Sequence, residues 1–314
     1  MTRRGSSPSW VHDIDVSFVN FTMDKPRTIL IGISGCSSSG KTTLARLLRD
    51  WFPETFILHE DDFYKPESEL PQTHGFVDWD CPEAISIPDL EAALVHIRAT
   101  GTLPPTLNSK EDLNSVGPSP LTPARRAALE SKVRAWLQPG RPGADIFPPP
   151  SPDGNAAAAA AAAARTKTRI CILEGFLLFS PPRFSAVMAL LDVKLFLRAS
   201  KRAALDRRAR RDGYVTLEGF WADPPGYVDR VVWPGYVKHH RWMFVGAGHG
   251  RGDGDAGEDD VVDGGVLDQD VLRKAGIHAM ADRGEDVDFG DAAEWAVGVV
   301  MEELERICLG QPKP

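Results

Sequence analysis

A chain of 314 residues with 42% hydrophobic and 25% charged residues has the composition of an ordinary folded protein, and its net charge of −8 leaves no surplus of cations to hold nucleic acid nonspecifically. No apolar run approaches the roughly 20 residues that a membrane span needs. The cysteines, Cys36, Cys81, Cys171 and Cys308, stand too far apart for C-x-x-C pairs, which argues against a zinc ribbon or a disulfide framework and for a reducing compartment: the cytoplasm, with the nucleus also open to it.

Residues 1–26 are polar, show no period and end at Pro26, so they read as a disordered leader; no apolar stretch follows the basic residues at the start, as a secretory signal would require. Residues 27–314 read as a single domain. The apolar run from Thr28 to Ile33 is its first strand. Behind it come Gly35-Cys36-Ser37-Ser38-Ser39-Gly40-Lys41-Thr42 and a helix-forming run that Pro53 stops. Between a strand and a helix, G-x-x-x-x-G-K-[ST] lets the backbone curl until successive N–H groups point inward at the positive end of the helix, a cradle for phosphate. Gly35, Ser38, Ser39, Gly40, Lys41, Thr42 and Thr43 are the expected contacts of ATP phosphates; Lys41 reaches the β- and γ-phosphates, and the Thr42 hydroxyl takes one site on Mg²⁺. A Gly/Ser turn that binds nothing is the alternative, and the flanking strand and helix weigh against it.

A second strand, Thr55 to Leu58, leads into His59-Glu60-Asp61-Asp62-Phe63-Tyr64, placing acids at the carboxyl end of a parallel strand, where α/β folds do chemistry. The loop from Lys65 to Pro88 is long enough to wall a substrate, and Leu90, Leu94 and Ile97 follow at helical spacing. From about 101 to 166 prolines recur, a short helix is predicted over 127–137, and nine alanines run from Ala156 to Ala164; the segment reads as a surface insertion, since closing a longer loop costs only about 0.6 kcal/mol per doubling of length. The core resumes with the apolar run Arg169 to Leu173, ending in Glu174-Gly175-Phe176. A helix over 183–190, the strand Val193 to Leu197 and a helix over 200–211 come next. That last helix carries Arg202, Arg207, Arg208, Arg210 and Arg211 into a lid at about 207–230. A helix with Trp233, Tyr236, His239 and His240 precedes a second insertion at about 246–266, dominated by Gly and Asp. An edge strand over 275–280 and an amphipathic helix over 292–309 close the chain.

The phosphate loop alone says only that a nucleotide binds; the acids decide what is done with it. Phosphoryl transfer to a hydroxyl needs a carboxylate to orient the attacking oxygen and take its proton, a metal on the β- and γ-phosphates, and cations around the transferring group. Asp61 fits the first role, Thr42 with Glu174 the second, and Lys41 with the arginines near 207–211 the third. By spacing alone Asp61-Asp62 remains readable as a solvated turn or helix cap, Glu174 as a salt bridge, and the arginines as a solvated face.

Four blocks carry a resemblance. Asp61-Asp62-Phe63-Tyr64-Lys65-Pro66-Glu67-Ser68-Glu69, Gly75-Phe76-Val77-Asp78-Trp79-Asp80, Ile172 through Phe179, and Asp223-Pro224-Pro225-Gly226-Tyr227-x-Asp229-x-x-Val232-Trp233-Pro234 closely resemble nicotinamide riboside kinases. The resemblance spans most of 28–245 apart from the first insertion. Its last three blocks separate the chain from the related uridine kinases, and the long insertions are similar to those of fungal members. It implies an α/β fold of the P-loop NTPase type, a five-stranded parallel sheet flanked by helices with a lid, and ATP and Mg²⁺ as cofactors. The implied reaction phosphorylates the ribose 5′-hydroxyl of nicotinamide riboside in NAD salvage. The implied partner is a small-molecule nucleoside, with no nucleic acid, membrane or obligate protein partner.

Residue by residue, the resemblance implies Asp61 as catalytic base beside Lys41, and Glu174 as holder of Mg²⁺ through water. Asp80 takes the ribose 2′- and 3′-hydroxyls, Trp79 stacks on the pyridine ring, and Tyr214 forms the opposite wall. Tyr64 and Asp223 belong to the substrate side. Arg208 and Arg211 are assigned to the ATP phosphates, in a register ambiguous by one residue. Glu60 is a departure, an extra acid that either alters metal binding or sits on the surface. Nicotinic acid riboside stays open as a second substrate. A uridine- or cytidine-type kinase and a non-catalytic nucleotide-binding module stay open as other functions, the module disfavoured by the lack of an Asn-Lys-x-Asp guanine motif.

Overall fold

The computed structural model describes residues 27–107, 109, 117–148, 168–211, 213–215, 219–246 and 261–310; the leader, the polyalanine run and most of the Gly/Asp-rich insertion lie outside them. β1 (Thr28–Gly35) is buried along its whole length. A strand achieves that only with neighbours on both edges and helices on both faces, which is why its sequence is nearly continuous in apolar residues. It is followed by α1 (Lys41–Trp51), β2 (Thr55–His59), the two-residue strands β3 (Gln72–Thr73) and β4 (Phe76–Val77), and α2 (Ile87–Thr100). α3 (Pro123–Trp136) and α4 (Pro142–Ile146) precede β5 (Arg169–Gly175), α5 (Ser185–Leu190), β6 (Val193–Leu197) and α6 (Lys201–Arg208). The lid hairpin β7 (Tyr214–Val215) and β8 (Phe220–Trp221), then α7 (Trp233–His240), α8 (Gln269–Ala275), β9 (Ile277–Ala279) and α9 (Phe289–Leu309) complete the order.

The main sheet runs β2-β5-β1-β6-β9 with every neighbouring pair parallel, so the five expected core strands form one parallel sheet. The chain leaves β1 toward β2 on one side and later crosses to β6 on the other, and the crevice at the carboxyl ends of such strands is where this architecture binds ligands. The pleat sorts the core into two layers. Ile29, Ile31 and Ile33 pack with Leu44, Leu48, Leu195 and Val300 on the α1, α3 and α9 face. Leu30, Leu58, Leu173 and Phe196 pack with Leu94, Val187 and Val237 on the other.

Part of the expected insertion is built into the first of these layers. α3 starts at Pro123, capped by the Thr122 hydroxyl, and buries Leu129, Val133 and Trp136 among residues of α1 and α9. Arg125 bridges Asp288 and Asp291 at the start of α9, and the Trp136 indole N–H donates to Glu305 at 2.6 Å. α6 ends at Arg208 rather than at 211, so Arg210 and Arg211 lie in the turn beyond it. No helix among the described residues is long and apolar enough to cross a membrane.

Candidate active site

The phosphate loop needs its two glycines for identifiable reasons. Gly35 has φ +152°, and a Cβ there would stand 2.2 Å from the Leu197 carbonyl oxygen; Gly40, at φ +98°, caps α1, and its Cβ would meet the Phe289 ring at 2.9 Å. Ser38 also takes a left-handed conformation, at φ 62°, and the Ser39 N–H closes the turn on the Cys36 carbonyl. α1 therefore presents its unpaired first N–H groups to the loop's concavity. Lys41, buried, lies across it and donates from Nζ to the Cys36 carbonyl at 2.9 Å. Beside the loop is a cavity of about 300 Å³ lined by Ser38, Ser39, Gly40 and Thr43 together with Arg207 and Arg211, and its far wall includes Phe289, Val287 and, from the expected insertion, Pro118 and Pro120.

The strand register sets the next group. β2 pairs with β5 so that His59 stands level with Glu174. His59 Nδ1 lies 2.8 Å from Glu174 Oε1, and the Thr42 hydroxyl donates to the same oxygen at 3.0 Å. Burial alone would push the Glu174 carboxyl up; the His59 hydrogen bond and charge, the Lys41 charge and the Thr42 hydroxyl outweigh it and hold the carboxyl below its usual range. An ionised carboxylate next to a hydroxyl is a pair of hard oxygen donors. Among the described residues no cluster of three or more His, Cys, Asp or Glu side chains able to hold a metal occurs; the Thr42 hydroxyl and Glu174 carboxylate are oxygen donors of the kind Mg²⁺ takes. His59 was not among the residues singled out from sequence, although its place one residue beyond an apolar strand and level with an acid is a readable signal.

Glu60 is not on the surface. It is fully buried, and Oε2 accepts the Leu177 N–H at 3.2 Å while Oε1 has no hydrogen-bond partner. Gly175 makes room for it, since a Cβ there would lie 2.1 Å from Oε2. Burial first, and the Asp61 charge second, push the Glu60 carboxyl up to about 8. It is mostly uncharged at neutral pH.

Asp61 sits in the 3₁₀ turn Glu60–Phe63 that follows β2. After burial, the charges of Asp61 and Asp80 are the main influences pushing the Tyr64 phenol up. Tyr64 packs edge-on against Trp79 at 5.3 Å between ring centroids, and Trp79 faces Trp221 of the lid hairpin at 5.6 Å and 50°. Trp221 is a wall residue that the sequence reading did not name. Its strand partner is Tyr214, whose side chain lies outside what the structure describes.

The lid closes over this slot through one arginine. Arg208 donates from Nε and Nη2 to Asp223 at 2.7 and 3.0 Å, from Nη1 and Nη2 to Asp80 at 3.0 and 3.3 Å, and from Nη1 to the Ser37 hydroxyl at 3.0 Å. These bonds occupy all five guanidinium N–H groups. The two arginines expected on the ATP phosphates are thus divided: Arg211 lines the cavity beside the loop with Arg207, and Arg208 joins the substrate acids to the loop. Asp223 acts on Arg208 and on the Trp221 indole, whose N–H reaches it at 3.2 Å. Tyr64 packs on Trp79, next to Asp80, which Arg208 ties to the loop, while Thr42 at the loop's end meets Glu174.

An all-parallel sheet in this strand order, with a lysine-bearing phosphate cradle between β1 and α1 and a lid beyond β6, defines a P-loop kinase. Comparison with known proteins is narrower. No family model matches the chain. Nicotinamide riboside kinase of Schizosaccharomyces pombe is 32% identical over 219 residues, 70% of this chain and 82% of the relative. The Saccharomyces cerevisiae nicotinamide riboside kinase is 30% identical over 71% and 82% of the two chains, and human nicotinamide riboside kinase 1 is 26% identical over 69% and 79%. The chain belongs to the nicotinamide riboside kinase family.

Proposed function

We propose that this chain transfers the γ-phosphoryl group of ATP to the ribose 5′-hydroxyl of nicotinamide riboside, giving nicotinamide mononucleotide and ADP, in the cytoplasm. The observation that carries this reading is the junction at Arg208: one side chain touches the phosphate loop through Ser37 and the nucleoside pocket through Asp80. That link between the phosphate loop and the proposed acceptor pocket supports a reading in which the two sites are held close together, as in-line transfer requires.

Asp61 orients the 5′-hydroxyl and takes its proton as the oxygen attacks. Lys41 leaves the Cys36 carbonyl for the phosphates, and Arg207 and Arg211 add charge at the cavity wall. Thr42 and Glu174 would hold Mg²⁺, which would supply positive charge against the triphosphate. With the lid open and Trp221 drawn away, the pyridinium ring stacks on Trp79, where a planar cation gains about 0.5–2 kcal/mol per aromatic face. Trp79 and Asp80 are only 6% and 5% exposed, so the lid opens to admit substrate. The four cysteines are all free, in keeping with a reducing compartment.

The test is Mg²⁺- and ATP-dependent ADP release with nicotinamide riboside, nicotinic acid riboside, uridine and cytidine. Turnover of pyridine ribosides alone is expected. A preference for uridine would overturn the aromatic slot as a pyridine site, and no turnover of any of the four would favour a binding module.

A further inference from the structure

We infer that Tyr227 is the positioning residue of the nucleoside pocket: its buried hydroxyl fixes both the Asp80 carboxylate and the Trp79 backbone, and so sets nucleoside affinity without touching the reacting atoms. The inference rests on the proposed function for the identity of the nucleoside, but its geometry does not. Tyr227 is completely buried, in a small apolar cluster with Leu70, Trp79, Cys81 and Val231 that is separate from the two sheet layers. Its hydroxyl accepts the Trp79 N–H at 3.0 Å and donates to Asp80 Oδ2 at 2.9 Å. Burial, and then the Asp80 charge, push its phenol far above the ordinary value, so it remains a donor across the working pH range.

The ring is as well placed as the hydroxyl. It meets Trp221 edge-on at 5.7 Å and Phe76 at 5.8 Å, and the Arg208 guanidinium lies 5.8 Å from its centroid. Tyr227 thus contacts the substrate loop through Phe76, Trp79 and Asp80 and the lid through Trp221 and Arg208. Arg208 engages both Asp80 oxygens, and the phenol adds a shorter second bond to Oδ2 from a separate element, so the carboxylate is held between two anchors. Immediately after Tyr227 the chain makes a π-helical turn over Val228–Val232, a rare local geometry that recurs at functional positions and here aims the ring inward ahead of α7.

The test is Tyr227→Phe in the full chain, which keeps the ring and removes only the hydroxyl. Steady-state kinetics are expected to show KM for nicotinamide riboside rising about tenfold or more, with kcat and the KM for ATP within about threefold. Equal losses toward both substrates would make Tyr227 a packing residue and overturn the inference, as would an unchanged nucleoside KM. Wild-type turnover of nicotinamide riboside reports separately on the proposed function. Hydrogen exchange in the ligand-free protein decides the point independently of any substrate: the Trp79 amide should exchange faster in the variant while β1 and β5 amides keep their protection, and unchanged exchange at Trp79 would overturn the positioning role.

Discussion

Asp61 and Glu60 are adjacent carboxylates with opposite environments, and the contrast gives each a separate prediction. As the proposed base, Asp61 would act mainly in the transition state, so Asp61→Asn should lower kcat by about 10²–10⁴ with ATP affinity nearly unchanged. Unaltered turnover would remove it from the mechanism. Glu60 is buried with one unpartnered oxygen and a carboxyl raised from its ordinary 4.5 to about 8. Between those two values the unfolded chain releases a proton that the folded chain keeps, so stability falls as pH rises, by up to about 1.4 kcal/mol per pH unit. Glu60→Gln removes that slope: its melting temperature should match the wild type near pH 4.5 and exceed it by a growing margin toward pH 8. A wild-type advantage at pH 8 would show that Glu60 is ionised and stabilised in the fold. The candidate base was legible because an acid after an apolar strand is a strong pattern. The burial of its neighbour was not, since it depends on Gly175, more than 100 positions away, leaving space for a side chain.

At the level of elements, β1 and β5 were legible as continuous apolar runs, because a strand covered on both faces has no polar side to interrupt it. α3 was legible only in part. Its prolines and long polar face resemble an insertion, and the three residues that anchor it, Leu129, Val133 and Trp136, point to partners in α1 and α9 that no local window contains. The lid resisted in another way: five arginines close together give no clue to which one turns inward, and that choice is made by Asp80 and Asp223. The position of α3 carries a functional prediction. Arg125 ties its first turn to Asp288 and Asp291, next to Phe289, and the chain just before it supplies Pro118 and Pro120 to the wall of the nucleotide cavity. Arg125→Ala should therefore raise the KM for ATP by about three- to tenfold while the KM for nicotinamide riboside stays within about twofold. Equal change in both constants would mean that α3 supports the fold generally and does not shape the nucleotide wall.

Across the whole molecule, the phosphate loop and the proposed nucleoside pocket share a single guanidinium. Arg208 is held by Asp80 and Asp223, two acids of the substrate loop and the lid, and its remaining N–H reaches the Ser37 hydroxyl. If phosphate in the loop moves Ser37, the shared guanidinium is a route by which the Asp80 carboxylate would respond. Any such link must act equally in both directions, because coupling is a property of the doubly bound state. Calorimetry with a non-hydrolysable ATP analogue should find that it alters nicotinamide riboside affinity by about fivefold or more, and that the riboside alters analogue affinity by the same factor. Ser37→Ala removes one neutral hydroxyl and leaves both carboxylate pairs of Arg208 intact, so the analogue alone should bind within about threefold of the wild type. The coupling factor, in contrast, should fall below about two. A Ser37→Ala protein with full coupling would show that the sites communicate through the lid backbone or the bound metal; loss of analogue binding itself would show that the hydroxyl serves the phosphates directly.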